Sequence, residues 1–352
     1  MHHLIYIVFL CLSFTAINID ALEIDTNSER GNLYIKNLGT CPLENNKVIK
    51  NCKIGYRVWG EMNADLSNII IFPTWHNGTT ESLYKYNYIG PEGIVDTDDY
   101  FVIALELFGN GISSSPSNTS LEDGEDFPEF TIKDIVRSQH RLLSEAFNIE
   151  NVHAVVGVSM GGHVTYEWMM QYPNFASKFL PIEGAPWHTN YDKLLYAARK
   201  NALESNFKSK EEIQKATEII TALDGLMLWT PEYVEREFGA QEFNDWFQRL
   251  QKRGNTKDYL INRESQNNAL ISHDIRENGE LSQEQIIKLQ KIDIFSIIFS
   301  SDLMVLPQPN NDLANKVGFN ILSIDGDCGH MGPEVECYQD QVKEAVKKFL
   351  IN

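Results

Sequence analysis

The chain has 352 residues, of which 43% are hydrophobic and 22% are charged, and its formal net charge is −19 at pH 7. These values are typical of globular proteins and exclude fibrous and intrinsically disordered classes, and the length suits one large domain with an insertion or two small domains. Because no basic surplus is present to neutralise phosphates, we expect neither nucleic acid nor an anionic membrane surface as a partner.

The N-terminus has the pattern of a secretory signal peptide. Residues 4–12 form an apolar core that is too short to span a bilayer, and small residues follow it. We expect residues 1–21 to be removed by cleavage after Ala21, with Ala16 as the second choice, although no Lys or Arg precedes the apolar core. A buried first strand is the alternative. The pattern predicts a secreted protein, or one in the secretory lumen, that has no membrane contact once the signal is removed.

Four cysteines outside this segment form two close pairs, Cys41 with Cys52 and Cys328 with Cys337. The first pair flanks a loop that resembles a hairpin, so their Cα atoms could approach to bridging distance. Of the three possible connectivities, pairing within each close pair closes the shortest loops. This prediction fits an oxidising compartment, and four reduced, buried thiols are the alternative.

Two sequons are compatible with N-glycosylation in the secretory route. The acceptor residues are Asn77 and Asn118. Each lies in a polar loop that follows a predicted strand.

In the first half of the chain, the pattern of apolar residues predicts strands that alternate with turn-rich loops. Residues 33–59 show the alternation of an antiparallel meander. Residues 69–72 and 101–105 are short, wholly apolar runs of the type expected for parallel strands covered on both faces. Polar loops follow both runs, and loops at the carboxyl ends of parallel strands line ligand crevices. A helix with a capping-box-like start at Thr131 and Asp134 comes next.

The stretch from Val152 to Met170 predicts a strand, a tight turn and a helix. Its turn is Gly157-Val158-Ser159-Met160-Gly161, the pattern of a nucleophile elbow. Glycines flank the serine because a Cβ there would collide with the neighbouring strand or helix. The elbow exposes the Ser159 hydroxyl at the sheet edge, above a helix start whose partial positive charge favours an anionic intermediate.

The character of the chain changes between residues 190 and 290 to long, charged helical segments without strand-like runs. We therefore predict a helical cap inserted over the crevice, with residues 22–189 and 291–352 as the two parts of one mostly parallel, doubly wound core. Crossover helices of a larger sheet are the alternative. Before the cap, residues 179–182 are a further strand candidate that Pro181 weakens.

Strand patterns return at residues 292–299 and 319–324, and the loops after them contain Asp302 and His330. A serine hydroxyl is a poor nucleophile unless a base lies within hydrogen-bond reach and a third group orients that base. Ser159, Asp302 and His330 occur in the order nucleophile, acid, histidine, and each follows a predicted strand. The sequence therefore predicts a catalytic triad of these three residues.

Two further features of the triad prediction concern its neighbours. Asp325 and Asp327 are rival acids, although they lie on the histidine's own loop. The backbone N–H groups of Met160 and Trp75 are the predicted oxyanion donors, since Met160 follows the nucleophile and Trp75 lies in the loop after residues 69–72.

The chain resembles the homoserine O-acetyltransferase-like branch of the α/β-hydrolase superfamily. The resemblance extends over residues 50–350 and is carried by residues 100–118, 139–143, 157–162 and 329–332. It implies an α/β-hydrolase fold with a cap, the triad Ser159, Asp302 and His330, the oxyanion position at Trp75, and a homodimer as a plausible assembly. We expect no cofactor and no metal, and a small-molecule ester or acyl substrate.

One residue departs from the pattern of this branch. Met331 follows His330, whereas the homoserine acetyltransferases that the chain resembles have the pattern Gly-His-Asp here, with an aspartate after the histidine. An apolar side chain cannot pair with the ammonium group of an amino-acid acceptor. Arg199 or Lys200 falls near the position of the family's substrate-carboxylate arginine. We therefore predict a secreted, serine-dependent ester hydrolase or O-acyltransferase with an acyl-Ser159 intermediate. A homoserine O-acetyltransferase is the alternative enzyme, and a catalytically silent binding protein on this fold is the alternative of another class.

Overall fold

The computed structural model describes residues 30–120, 126–205, 207–252, 254–333 and 337–351. The expected signal peptide, residues 1–21, lies outside these ranges, so its prediction stays a prediction. No helix in the described ranges is long and apolar enough to cross a membrane.

In the described part of the chain, eight strands form one sheet, in the order β1-β4-β8-β5-β9-β10-β11-β12. Its β1–β4 and β4–β8 pairs are antiparallel, and its other pairs are parallel. Two short pairs, β2–β3 and β6–β7, lie outside this sheet. The strands are β1 (Tyr34–Asn37), β2 (Cys41–Pro42), β3 (Val48–Ile49), β4 (Lys53–Trp59), β5 (Ile69–Pro73), β6 (Ile89–Gly90), β7 (Val95–Asp96), β8 (Phe101–Leu105), β9 (Val152–Val158), β10 (Ala176–Ile182), β11 (Asp293–Phe299) and β12 (Asn320–Ile324).

The helices cover both faces of the sheet and the carboxyl edge of its parallel strands. They are α1 (Thr80–Lys85), α2 (Ile132–Arg141), α3 (Met160–Gln171), α4 (Asn190–Leu203), α5 (Lys210–Leu228), α6 (Pro231–Glu237), α7 (Ala240–Lys252), α8 (Lys257–Ile271), α9 (Gln283–Leu289), α10 (Gln308–Val317) and α11 (Gln339–Ile351). A π-helical turn, Leu142–Ala146, extends α2, and a 3-10 turn, Gly329–Met331, follows β12. The predicted capping box at the start of α2 is confirmed: Thr131 and Asp134 exchange side-chain to backbone hydrogen bonds.

The central strands read as unbroken apolar runs because each of their faces is buried. In β5, Ile69 and Ile71 belong to a core that includes side chains of α2, α3, α9 and α10, whereas Ile70 and Phe72 belong to a second core with α1 and α11. Alternate side chains of a strand point to opposite faces, so a strand covered on both sides needs an apolar residue at every position. This packing confirms the doubly wound α/β fold.

Pro181 lies inside β10, between β9 and β11 in the sheet. It is in register with Gly157 of β9, while the β10–β11 ladder pairs residues at Phe179 and Ile182 and omits the two positions between them. Since proline has no N–H to donate, the ladder is interrupted beside it. The predicted strand at residues 179–182 is therefore present, with a local gap on its β11 side.

Among the described residues, six helices, α4 to α9, connect β10 to β11. Helices α4, α5 and α8 share a small apolar core that includes Leu203, Ile220 and Leu260. Helix α9 instead contacts α3 and α10 beside the sheet. The division of the chain at residues 190 and 290 stays a prediction, and these contacts separate α9 from the helices that form the small core.

Both predicted cysteine pairs are bridged in the structure. The Cys41–Cys52 bridge joins the first strand of the β2–β3 hairpin to the residue before β4. The Cys328–Cys337 bridge encloses His330 and ends two residues before α11 begins at Gln339.

Candidate active site

The elbow between β9 and α3 holds Ser159 in a backbone conformation that few side chains adopt. Its φ is +54° and its ψ is −120°, and such strained positions cluster at functional sites. The turn also brings α3 against the end of β5, so that a Cβ on Gly161 would lie 2.5 Å from the carbonyl oxygen of Pro73. A glycine is therefore required there, and the turn presents the serine hydroxyl at the sheet edge.

The loops after β9, β11 and β12 bring the three predicted triad residues together. His330 Nε2 lies 2.9 Å from Ser159 Oγ, and His330 Nδ1 lies 2.7 Å from Asp302 Oδ2. An ionised carboxylate can only accept, so Nδ1 carries the proton and Nε2 is the acceptor for the serine hydroxyl. This is the tautomer in which the histidine can act as a base towards Ser159.

Asp302 is buried and held by its own loop. Its Oδ1 accepts hydrogen bonds from the backbone N–H groups of Met304, at 2.8 Å, and Val305, at 2.9 Å. These donors offset part of the cost of burying the charge and leave Oδ2 directed at the histidine.

The rival acids point elsewhere. Asp327 pairs with Arg236 near the surface, and Asp325 is exposed. Asp302 is therefore the carboxylate that orients His330, because it alone of these three aspartates bonds the histidine ring.

A cavity of about 400 Å³ opens above Ser159. Both predicted oxyanion residues line it: Met160 begins α3, and Trp75 lies in the loop after β5. Helices α4, α5 and α8 close the opposite side with six side chains. These are Tyr196, Arg199, Asp224, Leu228, Tyr259 and Arg263.

Two buried arginines in this cavity share one carboxylate. Arg199 Nη2 lies 2.6 Å from Asp224 Oδ1, and Arg263 Nη2 lies 2.5 Å from Asp224 Oδ2. Lys200 points outward and pairs with Glu204, so Arg199 is the residue of the predicted Arg199 or Lys200 position that faces the cavity. Asp224 thus occupies guanidinium donors that would otherwise be available to a substrate anion.

Several histidines near the site are neutral at pH 7. Burial, followed by the charges of Arg263 and Arg199, holds the pKa of His76 well below its usual value. Behind the elbow, His163 and His188 pack together with His273, and burial lowers the pKa of His273 to about 4. The rings of His163, His188 and His273 are buried in the interior.

Potential metal ligands in the described ranges converge at one place. Oxygen or nitrogen atoms of Glu183, Asp302 and His330 all lie within 4.8 Å of one another. Both ring nitrogens of His330 already bond Ser159 and Asp302, so an ion here would have to displace those hydrogen bonds.

Comparison with known proteins places this geometry in a family. Residues 75–336 match the family described as the alpha/beta hydrolase fold, and this range includes the elbow, Asp302 and His330. The chain belongs to the α/β-hydrolase family.

The relatives of this α/β-hydrolase include esterases and homoserine O-acetyltransferases, which confirms the resemblance drawn from the motifs. An ethyl acetate hydrolase of Pseudomonas veronii is 36% identical over 217 residues, covering 59% of this chain and 62% of that protein. A homoserine O-acetyltransferase of Chlorobaculum parvum is 26% identical over 311 residues, covering 82% of this chain and 86% of that protein. With 62% of its length covered, the ethyl acetate hydrolase is matched over less than two thirds of its own chain.

A solved structure shows the same fold at nearly full length. An acetylester hydrolase from Corynebacterium glutamicum superposes with a TM-score of 0.81 and 25% identity, covering 92% of this chain and 97% of that chain.

The two predicted glycosylation positions differ in this fold. Asn77 lines the cavity, and its Nδ2, the atom that would carry a glycan, is buried. A glycan on Asn77 is therefore not accommodated by this folded conformation, and its glycosylation stays a prediction. Asn118 is exposed, although its Nδ2 donates to the carbonyl oxygens of Gly111, at 3.0 Å, and Ser113, at 2.9 Å. Its glycosylation stays a prediction.

Three charged residues of the site, Glu183, Asp224 and Arg263, were not predicted from the sequence. Glu183 directly follows β10, so the strand-end rule that identified Asp302 could have found it. Asp224 lies in α5 and Arg263 in α8, and in the sequence both look like ordinary charged surface positions. No local pattern marks them, because their approach depends on how α5 and α8 pack over the cavity.

Proposed function

We propose that this chain is a serine-dependent acyl-transfer enzyme that cleaves small-molecule esters through an acyl-Ser159 intermediate. The observation that carries the proposal is the position of His330, 2.9 Å from Ser159 Oγ and 2.7 Å from Asp302, beside a cavity of about 400 Å³. A catalytically silent binding protein would not require this alignment.

In the acylation step, Ser159 Oγ attacks the ester carbonyl carbon while His330 Nε2 takes its proton. The resulting imidazolium is stabilised by Asp302, whose carboxylate remains ionised. The N–H groups of Met160 and Trp75 stabilise the negative charge on the carbonyl oxygen. Collapse of this intermediate expels the alkoxide, which takes the proton from Nε2 and leaves as an alcohol.

Deacylation repeats these steps with an acceptor in place of the serine. His330 Nε2 removes the acceptor's proton, the acceptor oxygen bonds the acyl carbon, and Ser159 Oγ leaves with the proton. The products are a carboxylic acid if the acceptor is water and a new ester if it is an alcohol.

Short neutral esters fit the site best. Met331 lines the cavity beside His330, and Asp224 already pairs with both buried arginines. The relative named ethyl acetate hydrolase supports the same substrate class. A homoserine O-acetyltransferase is the second candidate, since Arg199 faces the cavity and a relative with that name, from Chlorobaculum parvum, aligns over 82% of the chain.

We also propose that the protein is exported and forms a homodimer. Export is supported by the apolar N-terminal segment and by the two bridges, which persist in oxidising compartments. The homodimer rests on the family resemblance, and light scattering of the purified protein tests it.

The experiment begins with fluorophosphonate labelling followed by mass spectrometry. We expect the label on Ser159, and Ser159→Ala should remain folded while losing about 10⁴-fold or more in turnover of an acetyl ester. The same ester is then supplied with and without homoserine. Label on another serine would overturn the mechanism, and O-acetylhomoserine as the main product at millimolar homoserine would favour the acetyltransferase.

A further inference from the structure

The carboxylate of Glu183 lies near His330 Nε2, the ring nitrogen that bonds Ser159. Glu183 is buried, lines the cavity, and places its Oε1 3.9 Å from His330 Nε2. Asp302 bonds the other ring nitrogen, so orientation of the ring does not require Glu183. Glu183 is instead next to the nitrogen that exchanges protons with Ser159 and with the acceptor.

The backbone on both sides of Glu183 is fixed. Its N–H donates to the carbonyl oxygen of Ile297 at 2.8 Å, and its φ of +43° is unusual for a residue with a side chain. The next residue, Gly184, packs so closely on α3 that a Cβ on Gly162 would lie 2.7 Å from its Cα, and its carbonyl oxygen accepts from Asn310 at 2.8 Å. The backbone that carries this carboxylate is thus held in place by strand and helix contacts.

The distance between Glu183 and His330 matches a bridged contact. A separation of 3.9 Å is too long for a direct hydrogen bond. A single oxygen atom about 2.8 Å from both Oε1 and Nε2 would bridge a separation of this length. In deacylation, that is the region the acceptor oxygen must occupy, because Nε2 removes its proton.

We propose that Glu183 selects water over alcohols as the acyl acceptor by accepting the second hydrogen of the attacking water. This inference rests on the proposed acyl-Ser159 intermediate. One hydrogen of the water passes to His330 Nε2 and the other bonds Glu183 Oε1, while the water oxygen bonds the acyl carbon. The bond from that carbon to Ser159 Oγ then breaks, and Oγ takes the proton from Nε2.

An alcohol cannot satisfy both groups. Its single hydroxyl hydrogen is needed by Nε2, so its oxygen lone pairs face a buried carboxylate and the hydrogen bond from acceptor to Glu183 is lost. The specificity of the deacylation step therefore depends on the number of hydrogens on the acceptor. Glu183 thereby favours hydrolysis of the acyl-enzyme over transfer of the acyl group to an alcohol.

The test measures how one acyl-enzyme divides between two acceptors. The full-length protein is given p-nitrophenyl acetate in water that contains methanol, and acetate and methyl acetate are quantified. This ratio does not depend on the acylation rate, because both products come from the same intermediate. The wild type should form less methyl acetate than the mole fraction of methanol would give for equal reactivity.

In Glu183→Gln, the introduced amide can donate to an alcohol oxygen, so we expect the ratio of methyl acetate to acetate to rise tenfold or more. Glu167→Gln is the matched control: Glu167 is also buried, but it lies in α3 and does not line the cavity, so its ratio should equal the wild-type ratio. If Glu183→Gln does not fold, Glu183→Asp, which retracts the carboxylate by one methylene, should shift the ratio in the same direction.

Two results would overturn this inference. The first is an unchanged ratio in folded Glu183→Gln with lower turnover, which would mean that Glu183 only stabilises the imidazolium. The second is a wild-type preference for methanol over water per mole. Failure of the proposed function would look different, because Ser159 would then resist labelling and no ester would be cleaved.

Discussion

The bridge between Cys328 and Cys337 encloses the loop of His330, and removing it tests the contributions of the bridge to stability and to alignment separately. Within that loop, the N–H of Gly329 donates to Ser301 Oγ at 3.3 Å, and the N–H of Cys328 donates to the hydroxyl of Tyr338 at 3.0 Å. The bridge ties this loop to the residues that lead into α11, which is packed on the sheet. His330 can bond Ser159 and Asp302 together only while the loop keeps this position.

The two bridges of this chain provide a matched pair of perturbations. The Cys328–Cys337 bridge spans a sequence separation of 9, and the Cys41–Cys52 bridge spans 11. Restriction of the unfolded chain by loops of these lengths is worth about 2.6 and about 2.8 kcal/mol of unfolding free energy. The two losses are nearly equal, so any difference in activity between the double variants reflects position.

Two double variants are compared, one with Cys328→Ser and Cys337→Ser and the other with Cys41→Ser and Cys52→Ser. We expect urea titration to show similar decreases in the free energy of unfolding for both. In the folded state, only the first pair should lose kcat/KM, by tenfold or more, because a shift of the histidine loop misaligns the reacting atoms. Near-ultraviolet circular dichroism establishes that each variant is folded under assay conditions. Unchanged kcat/KM in the folded Cys328 and Cys337 variant, or an equal loss in both variants, would refute the reasoning.

Three further predictions concern packing, charge and pH. Gly161→Ala should lower the unfolding free energy by about 2 kcal/mol, because its Cβ would meet the backbone of Pro73. Gly225→Ala in α5, where a Cβ meets nothing within 4 Å, should raise the unfolding free energy by up to about 1 kcal/mol. Urea titration of both variants checks these values. Asp224→Asn leaves two buried arginines without their carboxylate and should lower the unfolding free energy by about 3 kcal/mol. Asp293→Asn, whose exposed carboxylate pairs with Lys178, should lower it by less than about 1 kcal/mol, and equal losses in thermal unfolding would contradict this reasoning. Burial raises the pKa of Glu167 from 4.5 to about 8, so its neutral form stabilises the fold fully below pH 4.5 and this contribution is lost as the pH rises towards 8. Glu167→Gln does not titrate and should therefore gain up to about 4 kcal/mol over the wild type between pH 4.5 and pH 8, whereas a constant difference would show that Glu167 titrates normally.

Local patterns in the sequence determined the strands, the elbow and several helices. The runs at residues 69–72 and 101–105 correspond to β5 and β8, because a strand buried on both faces must be apolar throughout. The helical segments predicted between residues 190 and 290 include α5, whose start is set by the capping box of Ser209. The triad could also be predicted, because the carboxyl ends of parallel strands meet at one edge of the sheet whatever the loops between them do.

Only the tertiary structure decided which other groups reach this edge. Asn77 has the sequence of a glycan acceptor, yet its Nδ2 is buried because the loop after β5 turns into the cavity. Asp224 and Arg263 lie 39 positions apart and meet because α5 and α8 pack together over the sheet. The 3.9 Å between Glu183 and His330 likewise depends on the close approach of Gly184 to α3. A sequence pattern reports the burial and periodicity of one segment, whereas the distance between two side chains is set by the packing of all the segments that hold them.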